Sequence, residues 1–523
     1  MTEILRMQKI VKIYPNGVIA NNSVDLSVNA GEIHALMGEN GAGKTTLMKI
    51  LFGIEAPSEG QIFFNDLELH VKSPLDAIQT GLGMVHQHFM LVDSMTVAEN
   101  IALGMEPVKG GFLDYKRITS EAEAIIKKYN FAINPLSRIR DLPIGARQKV
   151  EILKALFRKA KLLILDEPTA VLTPQETEEL FQQLKMLKEQ GHTIIFISHK
   201  INEIKEICDR ITIMRNAKTV GVYDVAKLSK QEISNLMVGK DMDWSIQKNP
   251  ANIGDTVLAV RSLGVVDEAN RRLLQDIQFN LRTGEILGIV GVEGNGQREL
   301  VESITGLRKP DTGKVELFGK EIASLTIKQI RDAGMAHIPQ DRMTKGVALS
   351  SSVRENLISI EFSGDKLSHG PFLNIKEIDT RSENLIRDYQ IKVDTPEVPV
   401  RMLSGGNIQK VVVAREFSSK GKCIIADQPT RGIDVGAAQF IHKKLLQLRD
   451  DGAAILLISA DLSEVMDLSD TLLVMYGGRI AAYFQSAAEI TEEELGLYML
   501  GIKQQSEEEL LLAMKVPVQR SLA

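Results

Sequence analysis

A glycine-rich stretch near the start of the chain has the spacing of a phosphate-binding loop. It reads Gly38-Glu39-Asn40-Gly41-Ala42-Gly43-Lys44-Thr45 and lies between an apolar run typical of a strand and a run typical of a helix. Glycines let the backbone turn tightly, so that its N–H groups and the positive end of the following helix point at phosphate oxygens. Lys44 would bring a cation to the outer phosphates, and the Thr45 hydroxyl would bind Mg²⁺. The pattern predicts a nucleotide site.

Two carboxylates follow a second apolar run, Leu162–Leu165. Asp166 is placed to hold Mg²⁺ through water, and Glu167 is placed to orient or deprotonate an attacking water. An acidic pair at the end of a strand also occurs where a strand simply meets solvent. The phosphate-binding loop earlier in the chain favours the catalytic interpretation.

The chain contains two homologous halves. Asn29–Ile33 recurs as Arg282–Ile286 and His86-Gln87 corresponds to Pro339-Gln340, both 253 residues later; Asp166–Thr169 recurs as Asp427–Thr430 and Ser198 as Ser459, both 261 residues later. The second half has therefore gained eight residues between these landmarks. We expect the gain in the polar stretch Ser363–Gly370.

Each half alternates short β-type runs with amphipathic helical runs, which predicts an α/β unit with a mainly parallel sheet. The β-type runs include Ile33–Met37, Leu162–Leu165 and Thr193–Ile197, and the helical runs include Thr45–Leu51 and Gln175–Gln190. We predict domains over residues 1–243 and 256–503, joined by a polar linker over residues 244–255. The tail, residues 504–523, receives no functional interpretation.

Composition indicates a globular protein that works away from the bilayer interior. Hydrophobic residues make up 44% of the 523 residues, charged residues 25%, and the net charge is -6, which disfavours a nucleic-acid binder. The two cysteines, Cys208 and Cys423, suggest a reduced cytoplasmic protein rather than a disulfide framework. No apolar run approaches the roughly 18 residues of a membrane span, and no signal peptide is visible at the start. We expect any membrane role to be peripheral.

Further motifs between these landmarks resemble those of ATP-binding cassette (ABC) ATPases. Gln87 and Gln340 follow apolar strands, His199 follows the run Thr193–Ile197, and Leu403-Ser-Gly-Gly-Asn-Ile-Gln409 is similar to the ABC signature. The resemblance spans about residues 3–502 in two copies. It implies two tandem P-loop NTPase domains, each a RecA-like core with a helical subdomain and an antiparallel β subdomain.

The resemblance also implies that each ATP is held between the phosphate-binding loop of one half and the signature of the other. The implied catalytic residues are Glu167, His199 and Gln87, and the implied Mg²⁺ ligands are Thr45, Gln87 and Asp166. ATP would contact Tyr14, through ring stacking on adenine, together with Gly38, Glu39, Asn40, Gly41, Ala42, Gly43, Lys44, Thr45, Thr46, Ser404, Gly405 and Gly406. Tyr14 also fits a surface tyrosine on a turn.

The second half has lost the groups that the chemistry needs. Gln297 replaces the loop cation, Arg298 replaces the Mg²⁺-binding hydroxyl, Gln428 stands in place of Glu167, and Ala460 in place of His199. No aromatic residue occurs between Val257 and Ile277, where an adenine platform would lie.

The first half has lost only its signature serine, which is Pro143. Paired as the family pairs them, the intact groups of the first half meet the intact signature, and all of the losses fall in the other composite site. We predict that one site hydrolyses ATP and that the second contributes negligible turnover, since loss of a general base alone lowers rates about 10²–10⁴-fold.

A fused pair of cassettes with a degenerate second half resembles the ATPases of bacterial ribose/galactose importers and of nucleoside importers served by basic-membrane-protein-type lipoproteins. His86–Val92, Gly291–Glu299 and Gln428–Gly432 are more similar to the nucleoside branch. The resemblance implies nucleoside import as the function, with sugar import as the alternative.

The implied partners are two transmembrane permease subunits and an extracytoplasmic substrate-binding lipoprotein, with the chain peripheral at the cytoplasmic face of the cell membrane and no nucleic-acid partner. Met95–Asn100 and Ser352–Asn356 would receive the permeases. Thr96 and Glu99 also have the spacing of an ordinary helix start, and the two interpretations are compatible.

Soluble ABC ATPases that act on ribosomes or DNA are the remaining alternative. The ribosomal kind resembles tandem cassettes but commonly keeps both sites intact and has a long charged linker between them. DNA-repair relatives have zinc cysteines or coiled-coil insertions. The short linker, the eroded second site and the two distant cysteines favour a transport ATPase.

Overall fold

The computed structural model describes residues 2–514, with the exception of residues 16, 39–40, 87–88, 171, 199, 240–247, 363, 365, 371 and 420. The chain divides into two compact units, unit 1 (Met1–Trp244) and unit 2 (Ser245–Ala523). None of the described helices is both long enough and apolar enough to cross a lipid bilayer.

Unit 1 alternates strands and helices along the chain. Its strands are β1 (Glu3–Ile13), β2 (Ile19–Asn29), β3 (Ile33–Gly38), β4 (Glu59–Phe64), β5 (Leu67–Glu68), β6 (Leu82–Val85), β7 (Val108–Lys109), β8 (Phe112–Leu113), β9 (Leu162–Asp166), β10 (Thr193–Ile197), β11 (Arg210–Arg215) and β12 (Lys218–Asp224). Its helices are α1 (Lys44–Leu51), α2 (Pro74–Thr80), α3 (Val97–Ala102), α4 (Tyr115–Lys128), α5 (Ile144–Phe157), α6 (Pro174–Glu189), α7 (Ile201–Ile207) and α8 (Lys230–Val238).

Unit 2 repeats this order. Its strands are β13 (Thr256–Val266), β14 (Arg272–Arg282), β15 (Ile286–Val290), β16 (Thr312–Leu317), β17 (Lys320–Glu321), β18 (Met335–Ile338), β19 (Ser368–His369), β20 (Phe372–Leu373), β21 (Cys423–Asp427), β22 (Ala454–Ile458), β23 (Thr471–Tyr476) and β24 (Arg479–Phe484). Its helices are α9 (Gln297–Ile304), α10 (Ile327–Asp332), α11 (Val353–Ile358), α12 (Ile375–Asp388), α13 (Gly405–Ser418), α14 (Val435–Asp450), α15 (Leu462–Leu468), α16 (Glu492–Met499) and α17 (Glu507–Met514).

Each unit has a six-stranded sheet, a four-stranded antiparallel sheet and a group of helices. The six-stranded orders are β12-β11-β3-β10-β9-β6 and β18-β21-β22-β15-β23-β24, parallel except for the terminal pairs β11–β12 and β23–β24. The antiparallel orders are β2-β1-β4-β5 and β14-β13-β16-β17. The helices α3–α5 and α11–α13 pack together within their units. The α/β fold with a helical and an antiparallel β subdomain is confirmed.

The central strands are continuous apolar runs because both faces of the parallel sheet are covered. Every residue of β3, β9 and β10 is buried, and so is every residue of β15, β21 and β22. One core lies between α1, the antiparallel sheet and the central sheet of unit 1. Its counterpart in unit 2 includes residues from β13, β15, β21 and α9.

The backbone repeats in detail as well as in order. Glu167 has a left-handed φ of 47°, and Gln428, 261 residues later, has a φ of 53°. Lys9 and Ser262, 253 residues apart, both have a left-handed φ and interrupt the register of β1 and β13. Residues other than glycine rarely adopt this conformation, so its recurrence at equivalent positions marks a duplicated fold.

The eight additional residues of unit 2 are distributed rather than gathered at Ser363–Gly370. The first residues of equivalent elements are 253 positions apart for β6 and β18, 256 for α3 and α11, 260 for α4 and α12, and 261 for α5 and α13. Three residues are thus gained before α11, in a π-helical turn at Arg342–Gly346, four before β19, and one after α12. Each gain lies in a connection between elements, where insertions disturb no ladder of hydrogen bonds.

The segments on either side of the second predicted domain pack onto unit 2. In the described part of the predicted linker, Lys248 lies 3.1 Å from a carboxylate oxygen of Asp470, and the Asn249 carbonyl accepts a hydrogen bond from Arg449. In the tail, α17 packs against β24, and Met514 is buried in the unit 2 core. Residues 248–255 and 504–514 therefore belong structurally to unit 2.

Candidate functional site

The predicted site residues of unit 1 lie at one edge of its central sheet. Strands β3, β10 and β9 are neighbours, and their register pairs Leu36 with Ile197 and Ile197 with Asp166. The carboxyl ends of these parallel strands therefore carry the phosphate-binding loop, Ser198 and Asp166 side by side. Ligands of open α/β sheets bind at this edge.

The phosphate-binding loop has the backbone that the sequence predicts. Gly41 and Gly43 have φ values of 83° and 96°, and Gly43 directly precedes α1. A Cβ atom at Gly43 would lie 2.2 Å from the Ala20 carbonyl oxygen, so only glycine fits there. The Lys44 ammonium donates to the Gly38 carbonyl at 2.6 Å, which folds its charge into the loop. Glu39 and Asn40 lie outside the described residues.

The first turn of α1 adds two hydroxyl groups and a tyrosine. Thr45 is exposed at the helix start, where its hydroxyl is open to a ligand. The Tyr14 hydroxyl donates to Glu55 at 3.1 Å and lies 3.5 Å from the Thr46 hydroxyl. The structure thus brings Tyr14 beside the phosphate-binding helix, where an aromatic ring is available to a nucleotide base.

The two carboxylates at the end of β9 occupy different surroundings. Asp166 is 7% exposed, and burial together with the Glu167 charge raises its pKa to about 6, although Lys44 and Lys49 lower it. Glu167 is half-buried, and its left-handed backbone turns its N–H toward the Ile197 carbonyl at 3.0 Å. The position of Asp166 suits a metal ion, whose charge would favour the ionised carboxylate, and Glu167, turned out of the strand, is placed for base chemistry.

One buried residue at this edge of the sheet, Glu203, was not predicted from the sequence. Glu203 in α7 accepts hydrogen bonds from the hydroxyls of Thr169 at 2.7 Å and Ser198 at 2.8 Å, and so ties the segment after Glu167 to the segment before His199. Its equivalent in unit 2, Glu464, accepts from Thr430 at 2.8 Å. The recurrence of Thr, Ser and Glu at the offset of 261 was the available signal.

Unit 2 keeps the loop geometry without the charges. Gly294 and Gly296 have φ values of 93° and 101°, which match Gly41 and Gly43. Gln297 folds its neutral amide back toward Gly291, where Lys44 folds its ammonium toward Gly38. Arg298, in place of Thr45, is held by Glu302 one helical turn away at 3.0 Å. A phosphate therefore meets no loop cation and no Mg²⁺-binding hydroxyl here.

The acidic strand end of unit 2 is also changed. Burial raises the pKa of Asp427 to about 7, although Arg431 and Lys345 lower it; Gln297 and Glu302 stand where unit 1 has Lys44 and Lys49. The Gln428 side-chain carbonyl accepts a hydrogen bond from the Ala460 N–H at 3.1 Å. This amide has no basic oxygen to offer a water, which agrees with the predicted loss of function at Gln428 and Ala460.

An aspartate stands at the position equivalent to Tyr14, the residue predicted to stack on adenine. Asp267 is 253 residues after Tyr14 and binds Arg271 at 2.6 Å. Hydrogen bonds from Arg271 lower the pKa of the Asp267 carboxyl, which therefore stays ionised. The strand end thus presents a carboxylate where unit 1 presents a ring.

The two signature sequences differ at the start of their helices. Ser404 caps α13 and accepts a hydrogen bond from the Asn407 side chain at 3.0 Å. At the same position before α5, Pro143 has no hydroxyl to offer, and the Gly145 N–H is taken by the Glu176 carboxylate at 3.1 Å. Ala437 is the equivalent of Glu176 in unit 2, and the carboxylate beside Gly406, the equivalent of Gly145, is that of Asp434, 2.7 Å from a Cβ atom added at Gly406.

The predicted site residues thus form one group in unit 1 and another in unit 2. In unit 1 it brings together Tyr14, the described loop residues, Thr46, Asp166 and Glu167. Gln87 and His199 lie outside the described residues, although the strands that precede them, β6 and β10, end at the same edge of the sheet. Ser404, Gly405 and Gly406 stand at the start of α13 in unit 2.

Comparison with known proteins agrees with this geometry. The family described as "ABC transporter" matches residues 21–170 and 274–431. A guanosine import ATP-binding protein of Bacillus subtilis (strain 168) is 45% identical, with 96% of this chain and 98% of the relative covered. A nucleoside import ATP-binding protein of Lactococcus lactis subsp. cremoris (strain MG1363) is 41% identical, with 92% and 95% covered.

A sugar importer component is also similar. A ribose import ATP-binding protein of Rubrobacter xylanophilus (strain DSM 9941) is 36% identical, with 96% of this chain and 99% of the relative covered. Both halves of the chain match the same family, and these relatives match it along nearly its whole length. The chain belongs to the ABC transporter family, and it is a transport ATPase with two cassettes.

Proposed function

We propose that this chain powers nucleoside import by hydrolysing ATP at the site whose phosphate-binding loop lies in unit 1. The observation that carries the proposal is the adjacency of Lys44, Thr45, Asp166 and Glu167 at one sheet edge, set against the loss of the equivalent groups in unit 2. The proposed ABC ATPase domains are residues 1–243, with the intact phosphate-binding loop, and residues 256–503, with the intact signature.

The residues of unit 1 divide the work of hydrolysis. The loop amides and Lys44 bind the phosphates, and Tyr14 stacks on the adenine. Thr45, Asp166 and Gln87 fit Mg²⁺, because they supply the hydroxyl, carboxylate and amide oxygens that this ion prefers; when bound, it offsets phosphate charge. Glu167 orients the attacking water and accepts its proton, and His199 contacts the outer phosphate.

Unit 2 completes the site. Ser404 and the helix N-terminus at Gly405 and Gly406 cap the outer phosphate, since hydroxyl and amide donors there meet an anion. The support for this role is that the signature serine, Ser404, is present in the half that has lost its own loop chemistry, whereas the first half has Pro143 at that position. Closure on ATP and opening after hydrolysis would switch the transport pathway.

Nucleosides are the proposed cargo because the guanosine and nucleoside import proteins are 45% and 41% identical to this chain, whereas the ribose import protein is 36% identical. Ribose/galactose-type sugar import is the alternative. The proposed partners are two transmembrane permeases, which contact α3 and α11, and an extracytoplasmic binding lipoprotein. The chain would act at the cytoplasmic face of the membrane.

The test is uptake of a labelled nucleoside, with ribose and galactose beside it, in cells that express the chain with its permeases and binding protein. We expect Glu167→Gln to abolish nucleoside uptake and to lower ATP hydrolysis by at least about 10²-fold, because it removes the base. Gln428→Ala, at the equivalent position, is the matched control and should leave both within about twofold of wild type.

Two further outcomes refine the conclusion. If Glu167→Gln abolished sugar uptake and left nucleoside uptake unchanged, the cargo would be a sugar and the proposed mechanism would still stand. Recovery of hydrolysis in the double variant Glu167→Gln/Gln428→Glu would show that the second site is competent, and the proposed asymmetry would then be wrong.

A further inference from the structure

An arginine in unit 2 joins three segments around the intact signature. Arg342 begins the π-helical turn Arg342–Gly346, two residues after Gln340. Its two terminal nitrogens donate to successive carbonyl oxygens, those of Arg431 and Gly432, the latter at 3.0 Å. The guanidinium also lies against the signature, since a Cβ atom added at Gly405 would lie 2.9 Å from it.

The turn that carries Arg342 is itself held firmly. Asp341 caps it by accepting hydrogen bonds from the N–H groups of Met343 at 2.9 Å and Thr344 at 3.1 Å, and from the Thr344 hydroxyl at 2.6 Å. Gly346 packs against Val412, which lies in the signature helix α13. The guanidinium is therefore presented from a fixed base, and it can bridge two carbonyls because its donors form a rigid fork.

The same turn is linked to the segment expected to receive a permease. The buried Asn356 of α11 accepts from the Ala348 N–H at 2.8 Å and donates to the Ala348 carbonyl at 3.0 Å. Only Val347 separates Ala348 from the π-helical turn. The hydrogen bonds of Asn356 and those of Arg342 are thus joined through the short stretch of chain from Arg342 to Ala348.

In unit 1, different side chains hold the equivalent segment, which lies between β6 and α3. There the Met90 peptide is held by two side chains of α5: its N–H donates to Glu151, and its carbonyl accepts from Lys154 at 2.7 Å. The equivalent positions of α13 are Val412 and Arg415, which supply no such pair. In unit 2 this connection is three residues longer, and Arg342 within it holds the carbonyls of Arg431 and Gly432 beside the intact signature.

We propose that Arg342 is a positioning residue for ATP hydrolysis, which fixes the signature turn Ser404–Gly406 to the Arg431–Gly432 loop and so aligns the signature with the nucleotide held by unit 1. This inference rests on the proposed function. Arg342 acts through the signature and needs no contact with ATP. Its loss weakens the capped, hydrolysing state and leaves nucleotide binding to the unit 1 loop unchanged.

The first test compares Arg342→Ala and Arg342→Lys with the control Arg387→Ala, which removes an exposed arginine that pairs with its neighbour Asp388. In the complex with the permeases, we expect both Arg342 variants to lower kcat/KM for ATP about tenfold or more, because a lysine keeps the charge but not the fork. The affinity of the full chain for ADP should stay within about twofold of wild type, as should every property of Arg387→Ala.

A double-mutant cycle tests the contact itself. Gly405→Ala places a methyl group against the guanidinium, so its effect on kcat/KM should be several-fold larger with Arg342 present than in the Arg342→Ala background. Effects that simply multiply would contradict the inference, as would an Arg342→Ala variant with normal kcat/KM or one whose ADP affinity falls in parallel. Hydrolysis that survives Glu167→Gln would contradict the proposed function instead.

Discussion

Asp166 and Asp427 end equivalent buried strands but differ in the charges beside them. Lys44 and Lys49 lower the pKa of Asp166, which burial and Glu167 nevertheless raise to about 6. For Asp427, burial raises the pKa to about 7, and Glu302, which stands in place of Lys49, contributes to the rise. Burial outweighs the nearby cations at both strand ends, Lys44 and Lys49 in unit 1 and Arg431 and Lys345 in unit 2, and Asp427 is the harder of the two carboxylates to ionise.

This difference predicts a pH dependence of unit 2. Folded Asp427 keeps a proton between about pH 4 and pH 7 that the unfolded chain has released, so the free energy of unfolding falls as the pH rises through this range. The side chain of Asp427→Asn is neutral throughout, so the free energy of unfolding of unit 2 at pH 8 should rise by up to about 4 kcal/mol, at about 1.4 kcal/mol per pKa unit, as measured from the denaturant midpoint. The gain should fade toward pH 4.

The control for that measurement is Asp388→Asn, which changes an exposed carboxylate of the same unit. It should leave the midpoint unchanged at both pH values. An Asp427→Asn variant whose stabilisation is equal at pH 4 and pH 8 would show that the carboxylate is not protonated in the folded protein.

Glu203 is the side chain whose removal should affect both stability and catalysis. Glu203→Ala leaves the hydroxyls of Thr169 and Ser198 buried without their acceptor, which lowers the free energy of unfolding by about 1–3 kcal/mol for each. We expect ATP hydrolysis to fall at least about tenfold, because these hydroxyls flank Glu167 and the position of His199.

The equivalent variant Glu464→Ala separates these two effects. It removes the acceptor of Thr430 and should destabilise unit 2 to a similar degree while hydrolysis stays within about twofold of wild type. Denaturant midpoints and steady-state ATPase rates of the two variants provide the comparison. Equal losses of hydrolysis would mean that Glu203 has only a structural role.

At the scale of elements, α17 gives the sharpest prediction. Met514 is 8% exposed within the unit 2 core, and the Gln505 amide bonds both the N–H and the carbonyl of Tyr483 in β24. Truncation after Lys503 should lower the stability of unit 2 by about 2–5 kcal/mol, because it removes a buried methionine and its packing. Thermal unfolding of the truncated chain measures this change.

Truncation after Met514 is the matched control, since it removes only residues 515–523. The expected result is an unfolding midpoint close to that of the full chain. If both truncations destabilise unit 2 equally, α17 does not provide the stabilisation that its contacts indicate.

The elements that the sequence predicted well are those whose environment is local. The strands β3, β9 and β10 and the helices α1 and α6 match the predicted runs within one or two residues, because buried parallel strands need continuous apolar residues and α1 and α6 have clear start signals. The π-helical turn at Arg342–Gly346 was not predicted, since its shape depends on Asp341 and on packing against Val412.

The same distinction holds at the site. The phosphate-binding loop, Asp166 and Glu167 are contiguous motifs whose chemistry follows from residue type. Glu203 and Glu176 act through partners that lie far along the chain, so each was recognised from its hydrogen bonds, whereas Asp267 follows from the offset of 253 between the halves. The predicted location of the eight additional residues failed because offsets between distant landmarks do not resolve where between them a chain lengthens.

For the whole molecule, the asymmetry predicts one nucleotide per chain. Unit 2 offers a neutral loop amide, an arginine held by Glu302, and the Asp267 carboxylate at the adenine position. Equilibrium binding of ATP to the Glu167→Gln chain should therefore saturate at one equivalent. ADP at about 100 times its Kd should stabilise the unfolding transition of unit 1 by about 2.7 kcal/mol and leave that of unit 2 unchanged.

Two variants at equivalent loop positions check this stoichiometry. Lys44→Ala should abolish the bound equivalent, because the loop cation is lost, whereas Gln297→Ala should not alter it. Saturation at two equivalents, one of them sensitive to Gln297→Ala, would show that the degenerate loop still holds a nucleotide.

The repetition of backbone conformation gives the chain an internal reference for its own evolution. Glu167 and Gln428 share the same left-handed turn, and Gly43 and Gly296 share the same loop geometry. In each pair, only the unit 1 residue belongs to the site proposed to hydrolyse ATP. In a saturating substitution scan, intolerance common to both members would measure what folding requires. Substitutions that are tolerated in unit 2 but not at the equivalent position of unit 1 would measure what catalysis requires. Both measurements would come from one polypeptide under one selection.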